Sequence, residues 1–280
     1  MSEDNRILKP EDYLEPGCPM CENPYGVIPE SWSVPLRRIT EKLDEYMSRR
    51  DYKGAERHLL YWLEEALLGH DRRGELMIRN ELVGHFRKEG NRSEALRHGA
   101  EALRLLDELG MNDTITAGTT CVNVATAFQS FGDPEAAAQL FERAAGIYES
   151  APGTGPELLG GLYNNMALTY VALHRFREAD ALYRKALGVM EKVPGGEAEQ
   201  AITYLNMADA IEEEEGMEEG EKKISALLDR AAELLDSPAI PRDGYYAFVC
   251  EKCAPAFSRY GYFLESAELS RRAEAIYERD

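Results

Sequence analysis

Two cysteine pairs have the most chemically loaded spacing in this 280-residue sequence. Cys18-Pro19-Met20-Cys21 and Cys250-Glu251-Lys252-Cys253 are both C-x2-C, a spacing that brings two thiolates onto one tetrahedral zinc ion. Together they would describe a split four-thiolate zinc site, and either alone a redox dithiol. A redox C-x2-C opens a helix in a βαβ unit, and no such context surrounds either pair. A zinc knuckle on Cys18 and Cys21 needs two more ligands close by, yet no His and no other Cys precedes His58. Zinc- or redox-responsive regulation through Cys18 and Cys21 is therefore the second functional reading. His58, His70, His85, His98 and His174 have no carboxylate or thiol partner at ligand spacing. G-x-S-x-G, a glycine-rich phosphate loop, H-E-x-x-H and the kinase signatures are all missing. No catalytic residue and no cofactor is expected, and the chain reads as a non-enzyme.

Asparagine poses a different question. Asn123, Asn165 and Asn206 recur at nearly constant spacing, Asn164 adjoins one of them, and Asn80 takes the position of Asn164 two units earlier. Asparagine is a mediocre helix former, so its return in one register suggests a job. Its amide both donates and accepts, which suits the backbone of an extended peptide. The competing reading is that the same amides bond to neighbouring repeats and stitch them together.

The elements that position these residues repeat along the chain. A small or apolar residue falls at Leu43, Val83, Ala125, Ala167, Ala208 and Ala254, and a second at Trp62, Ala102, Ala144, Ala186, Ala231 and Ala273. Within each unit the two lie 19 residues apart, except in the fifth, where Ala208 and Ala231 are 23 apart. The fifth unit thus carries a four-residue insertion around the acidic run Ile211–Gly220. That run reads as a solvated helix end and turn, or alternatively as an acidic docking element for a basic partner. Gly90-Asn91, Gly132-Asp133-Pro134 and Gly261 mark turns within units, and Pro/Gly-rich links such as 152–156 and 194–196 separate units. His174 occupies a turn position where Gly is usual, which places it at the surface. Cys121, Cys250 and Cys253 fall on core positions of first helices, where a free thiol behaves as a small hydrophobe. Pro255 is expected to kink the first helix of unit six.

The pattern small-x2-aromatic, turn, aromatic, Ala-x3-aromatic-x2-Ala is clearest in Ala167, Tyr170, Phe176, Ala179, Tyr183 and Ala186. It resembles the tetratricopeptide repeat family over about residues 35–280. The usual unit of 34 residues is lengthened here to about 42, roughly one extra turn per helix. Long units with a paired Asn, as in Tyr163-Asn164-Asn165-Met166-Ala167, look most like the repeats of kinesin light chains and related bacterial proteins. The resemblance implies an all-α, right-handed α-α superhelix of about six helix-turn-helix units, about 35–72, 75–112, 117–152, 159–193, 200–236 and 245–280, after an irregular arm at 1–34. It implies first helices lining a concave groove and a non-enzymatic role in binding a peptide segment of a partner protein. Asn80, Arg87, Asn123, Thr126, Gln129, Asn164, Asn165, Asn206 and Asp209 are the residues expected to touch it. One branch of the family clamps a C-terminal carboxylate with Lys and Arg beside Asn. The corresponding positions here, Val122, Thr126, Asn164, Leu168, Ile202 and Asp209, are uncharged or acidic, so that ligand is not expected.

Charge narrows the partner. With 32 Lys and Arg against 51 Asp and Glu, the net charge is −19, which repels phosphate backbones and anionic membrane surfaces. Asp209, Glu212 and Glu213 make the fifth-unit end of the groove acidic, favouring a partner with a basic segment. No run is long and apolar enough for a membrane span, and no secretory leader is evident at the N-terminus, so a cytoplasmic location is expected. The arm, with Tyr25, Ile28 and Trp32, would fold into the groove or into that of a second copy, giving a homo-oligomer.

Overall fold

A computed structural model describes residues 31–278. The Cys18/Cys21 pair, Tyr25 and Ile28 lie outside the described residues. Twelve helices and no strand occur among those described. They are α1 (Leu36–Ser48), α2 (Tyr52–Leu68), α3 (Arg72–Lys88), α4 (Arg92–Glu108), α5 (Ile115–Ser130), α6 (Pro134–Ser150), α7 (Pro156–Ala172), α8 (Phe176–Met190), α9 (Glu197–Glu215), α10 (Met217–Leu235), α11 (Gly244–Arg259) and α12 (Phe263–Tyr277). The described residues divide into two compact units, 31–78 and 79–278.

Local chemistry starts and stops the helices where the sequence punctuates them. Asp51, Asn91, Thr114, Asp133 and Asp243 each accept a hydrogen bond from the backbone N–H three residues on, satisfying one of the orphan donors of the first turn. Pro134 and Pro156 occupy the first helical position, where a missing N–H costs nothing. The turns within pairs need one left-handed residue: Gly90, Gly132 and Gly261 supply it at φ of 72°, 77° and 84°, and His174 takes the same place at 56°. His174 is exposed, as its turn position implies.

In the first unit, α1 packs on α2. Ile39, Leu59 and Ala66 are buried between them, while Leu43 and Trp62 stay half-buried. Trp32 N–H donates to the Gly69 carbonyl at 3.0 Å, and Val34 N–H donates to Asp71 Oδ2 at 2.9 Å. Trp32 and Val34 are therefore fastened to the turn after α2, and Trp32 packs on Gly69.

In the second unit, α5–α6, α7–α8, α9–α10 and α11–α12 are antiparallel pairs, and α6 packs on α7 as α8 packs on α9. Ala125, Ala167, Ala208, Ala102, Ala144, Ala186 and Ala231 are all fully buried, because a methyl side chain lets neighbouring helix axes approach closely. Phe141, Tyr148, Tyr163, Tyr170 and Tyr183 fill the space between pairs. Gly118 and Gly160 hold the same register seven residues before Ala125 and Ala167. A Cβ at either would collide with Tyr148 or Met190 of the paired helix. The insertion in the fifth repeat forms no loop. It lengthens both helices to 19 residues and leaves the single residue Gly216, at φ 85°, between them. Helix α11 continues through Pro255 to Arg259.

Candidate functional site

The first helices α5, α7, α9 and α11 lie side by side, which sets the recurring positions of the sequence in adjacent rows. Asn123, Asn165 and Asn206 occupy one row, and Lys252 of α11 takes the next place in it. All three asparagines are half-buried. Their surroundings differ. Asn206 Nδ2 donates to Asn164 Oδ1 at 3.1 Å, and Asn164 is 8% exposed. Asn80, 6% exposed, donates to Thr120 Oγ1 at 3.0 Å. These amides join one repeat to the next. Among the described residues, no hydrogen bond occupies the side chain of Asn123 or Asn165. Thr126 turns its hydroxyl back to the Val122 carbonyl at 2.7 Å. Gln129 is half-buried with its amide unengaged. Arg87 makes no ion pair among the described residues, and burial holds its guanidinium below the ordinary value.

The acidic end of the row is not free charge. Arg259 of α11 pairs with Asp209, and lies 3.0 Å from Glu212 Oε2. The Tyr260 hydroxyl sits 2.8 Å from both Asp209 Oδ1 and Glu212 Oε2. Burial raises the Asp209 carboxyl, while Tyr260 and Arg259 pull it back. The expectation that Asp209 and Glu212 select a basic ligand is corrected accordingly: a cation from the next repeat already occupies them. Glu213 remains exposed beside them.

Two contacts between pairs carry no obvious sequence signal. Tyr163 and Tyr170, one heptad apart on α7, donate to Glu149 and Glu142 of α6 at 2.8 and 2.9 Å. Burial, reinforced by those carboxylates, pushes both phenols up to about 12. Arg175 covers the Tyr170 ring at 3.9 Å, a cation–π contact. Only the aromatic identity was visible in the repeat pattern.

The thiols have no such environment for chemistry. Cys121, Cys250 and Cys253 are buried and unpaired, and desolvation pushes the Cys253 thiol up to about 12. Cys250 and Cys253 lie inside the α11 core, as their repeat positions imply. Among the described residues, no group of three or more His, Cys, Asp and Glu could hold a metal ion. His58 Nε2 lies 3.1 Å from the Ile39 carbonyl. No described helix is long and apolar enough to cross a membrane.

Residues 160–195, which span α7, its turn and α8, match the family model described as tetratricopeptide repeat. The chain carries a tetratricopeptide repeat. The neighbouring helix pairs of the second unit repeat its architecture. Among solved structures, the chain is similar to a kinesin light chain-like protein with nearly identical TPR-like repeats from Podosopora anserina. The identity is 17%, the TM-score 0.50, and the match covers 72% of this chain and 94% of that one. A single-substitution variant of that protein matches with a TM-score of 0.52 at 17% identity, over 74% and 95% of the two chains. BtubC (BKLC) from P. vanneervenii matches at 19% identity and a TM-score of 0.50, over 87% and 91%. These likenesses are of fold. Among curated proteins, none matches the sequence. Tetratricopeptide repeats are in general protein–protein interaction scaffolds and typically non-enzymatic.

Proposed function

We propose that this tetratricopeptide-repeat protein holds an extended segment of a partner protein along the row of first helices, with Asn123 and Asn165 bonding the partner's backbone. The observation that carries the reading is the contrast within one register. Asn164 and Asn206 are bonded to each other across repeats, whereas Asn123 and Asn165 are half-buried, adjacent in the row and unengaged. A helical asparagine with a free amide offers a donor and an acceptor to an extended chain. Gln129 and Arg87 extend the same polar line on α5 and α3.

The test is affinity capture from the source cells with the wild-type chain and with Asn123→Ala/Asn165→Ala, followed by overlapping peptides of whatever protein is retained. A peptide that wild type binds and the double variant loses, at unchanged melting temperature, supports the reading. Equal binding by both forms overturns it.

A further inference from the structure

The outer face of α2 is apolar where the outer faces of later second helices are charged. Leu60, Tyr61, Leu67 and Leu68 are 38–57% exposed. Leu60 with Leu67 and Tyr61 with Leu68 make two i, i+7 pairs, which lie on one broad stripe of the helix. The same repeat positions hold Ala100, Glu101, Asp107 and Glu108 in α4, and Glu142, Arg143, Glu149 and Ser150 in α6. Toward the start of α2 the stripe turns basic: Lys53 and Arg57 are exposed, and neither is in an ion pair among the described residues. Glu56 at its edge is half-buried, and Glu64, the exposed carboxylate on it, sits among the leucines. A contiguous apolar patch of this kind on one helix of a series marks a surface that something covers.

The place where the chain enters the fold identifies the occupant. Trp32 donates its N–H to the Gly69 carbonyl and packs on Gly69, so the segment before Trp32 begins beside Leu68, at the apolar end of the stripe. That segment carries Tyr25, Val27 and Ile28, four to seven residues before Trp32, and four to seven residues reach at most about 14 to 25 Å. Along α2, Leu68 and Leu60 are about 12 Å apart, within that reach. Further back, residues 1–24 carry six Asp and Glu against two Lys and Arg, with Glu22 the first carboxylate met. Read away from Trp32, the chain is apolar and then acidic; read away from Gly69, the α2 stripe is apolar and then basic. A second copy of the chain, by contrast, brings a charge of −19 against −19, which opposes association.

We propose that residues 22–28 of this same chain dock on the outer face of α2. Val27 and Ile28 cover Leu67 and Leu68, Tyr25 covers Leu60 and Tyr61, and Glu22 lies toward Arg57 and Lys53. The tether at Trp32 keeps the segment at a high effective concentration, so a contact of a few side chains suffices. Burial of their apolar surface supplies the contact energy, and the order of charge fixes the direction. The segment thereby caps the first helix pair, whose outer face no other part of a solenoid covers. This docking is independent of the asparagine row and of whatever partner the row holds.

The test is hydroxyl-radical footprinting of the full chain, which reads side-chain exposure at Leu60, Tyr61, Leu67 and Leu68. Leu264, 83% exposed, serves as the open reference, and Phe257, fully buried, as the control for an intact fold. Val27→Asp/Ile28→Asp should raise oxidation of the α2 residues about fivefold, the change for a face covered about four-fifths of the time. Glu22→Lys should raise it about twofold, at low salt only. The reciprocal variant, Leu60→Ser/Leu67→Ser, alters exposed side chains and leaves the buried face of α2 intact. It should speed chymotryptic cleavage after Tyr25 about fivefold by the same population argument. Three results would each overturn the proposal: oxidation unchanged in Val27→Asp/Ile28→Asp, cleavage after Tyr25 indifferent to the α2 changes, or protection that grows with protein concentration, the mark of a second copy.

Discussion

Asn206 of α9 donates its amide to Asn164 of α7 across 42 residues of chain, 3.1 Å apart. The distance is one repeat period, so the bond links equivalent surfaces of successive first helices. Asn164 is buried, and its carbonyl oxygen depends on that one donor. Asn206→Ala strips the partner from a buried acceptor, a change that costs about 1–3 kcal/mol. Asn165→Ala, one residue from Asn164 but with a free amide, is expected to stay within about 0.5 kcal/mol of wild type. Urea unfolding of the two variants separates them. Equal destabilisation would mean that Asn165, too, is a stitching residue.

A second pair of expectations concerns the tight approach of first and second helices. Gly118 sits against the Tyr148 ring and Gly160 against the Met190 thioether. Adding a methyl group at Gly118 pushes into an aromatic ring that is itself buried and whose hydroxyl lies 2.8 Å from Thr119 Oγ1. Gly118→Ala should therefore destabilise by about 1–3 kcal/mol, despite the better helix propensity of Ala. At Gly160 the neighbour is the flexible end of a methionine, which can move aside. Gly160→Ala should cost less than Gly118→Ala, and the order of the two melting temperatures checks this.

His174 carries a positive φ of 56° in the turn where three of the other pairs use Gly90, Gly132 and Gly261. A side chain in that conformation costs about 1–2 kcal/mol, and the ring contact it recovers is an edge contact with Phe176 at 5.7 Å. His174→Gly should raise stability by about 1 kcal/mol, the strain relieved being partly offset by the greater freedom of Gly in the unfolded chain. Chemical denaturation with an unchanged m-value is the appropriate measurement.

The helix pairs were legible because the repeat constrains small residues. Ala125, Ala167 and Ala208 sit fully buried where two helices pack closely, so their spacing survives in the sequence. The turn at His174 and the burial of Cys121, Cys250 and Cys253 followed from the same frame. Three features were not legible, each because it depends on side chains reaching between repeats. Asn164 and Asn165 are neighbours in sequence, yet one is turned into a bond and the other left free. Asp209 and Glu212 read as open acidity until Arg259, about one repeat away, is seen to cover them. The inserted residues read as a solvated helix end and turn, whereas helical propagation through the Glu-rich run lengthened both helices to 19 residues and left only Gly216 between them.

His98 gives a pH dependence with a definite sign. It is fully buried in α4, stacked on Phe86 with ring centroids 5.6 Å apart. Arg79 lies 3.2 Å from its Nδ1 and Arg97 2.9 Å from its Nε2. A neutral imidazole accepts at one nitrogen only, so one arginine donates to it and the other faces its N–H. Burial first, then the charges of Arg97 and Arg79, lowers its pKa from 6.5 to about 4; Glu94 and Glu101 oppose this weakly. Above pH 6.5 both folded and unfolded states hold His98 neutral, and it contributes no pH dependence. Below 6.5 the unfolded chain takes up a proton that the folded chain refuses, so stability falls with pH until about pH 4. The full shift corresponds to a loss of about 3 kcal/mol. The carboxylates held low by arginine, such as Glu94 and Glu101, add their own loss only below the usual Glu range. His98→Gln, which keeps an acceptor for one arginine without a titratable ring, should flatten the decline between pH 6.5 and 5. Urea midpoints across that range for both forms decide it: parallel declines would assign the acid sensitivity to another group.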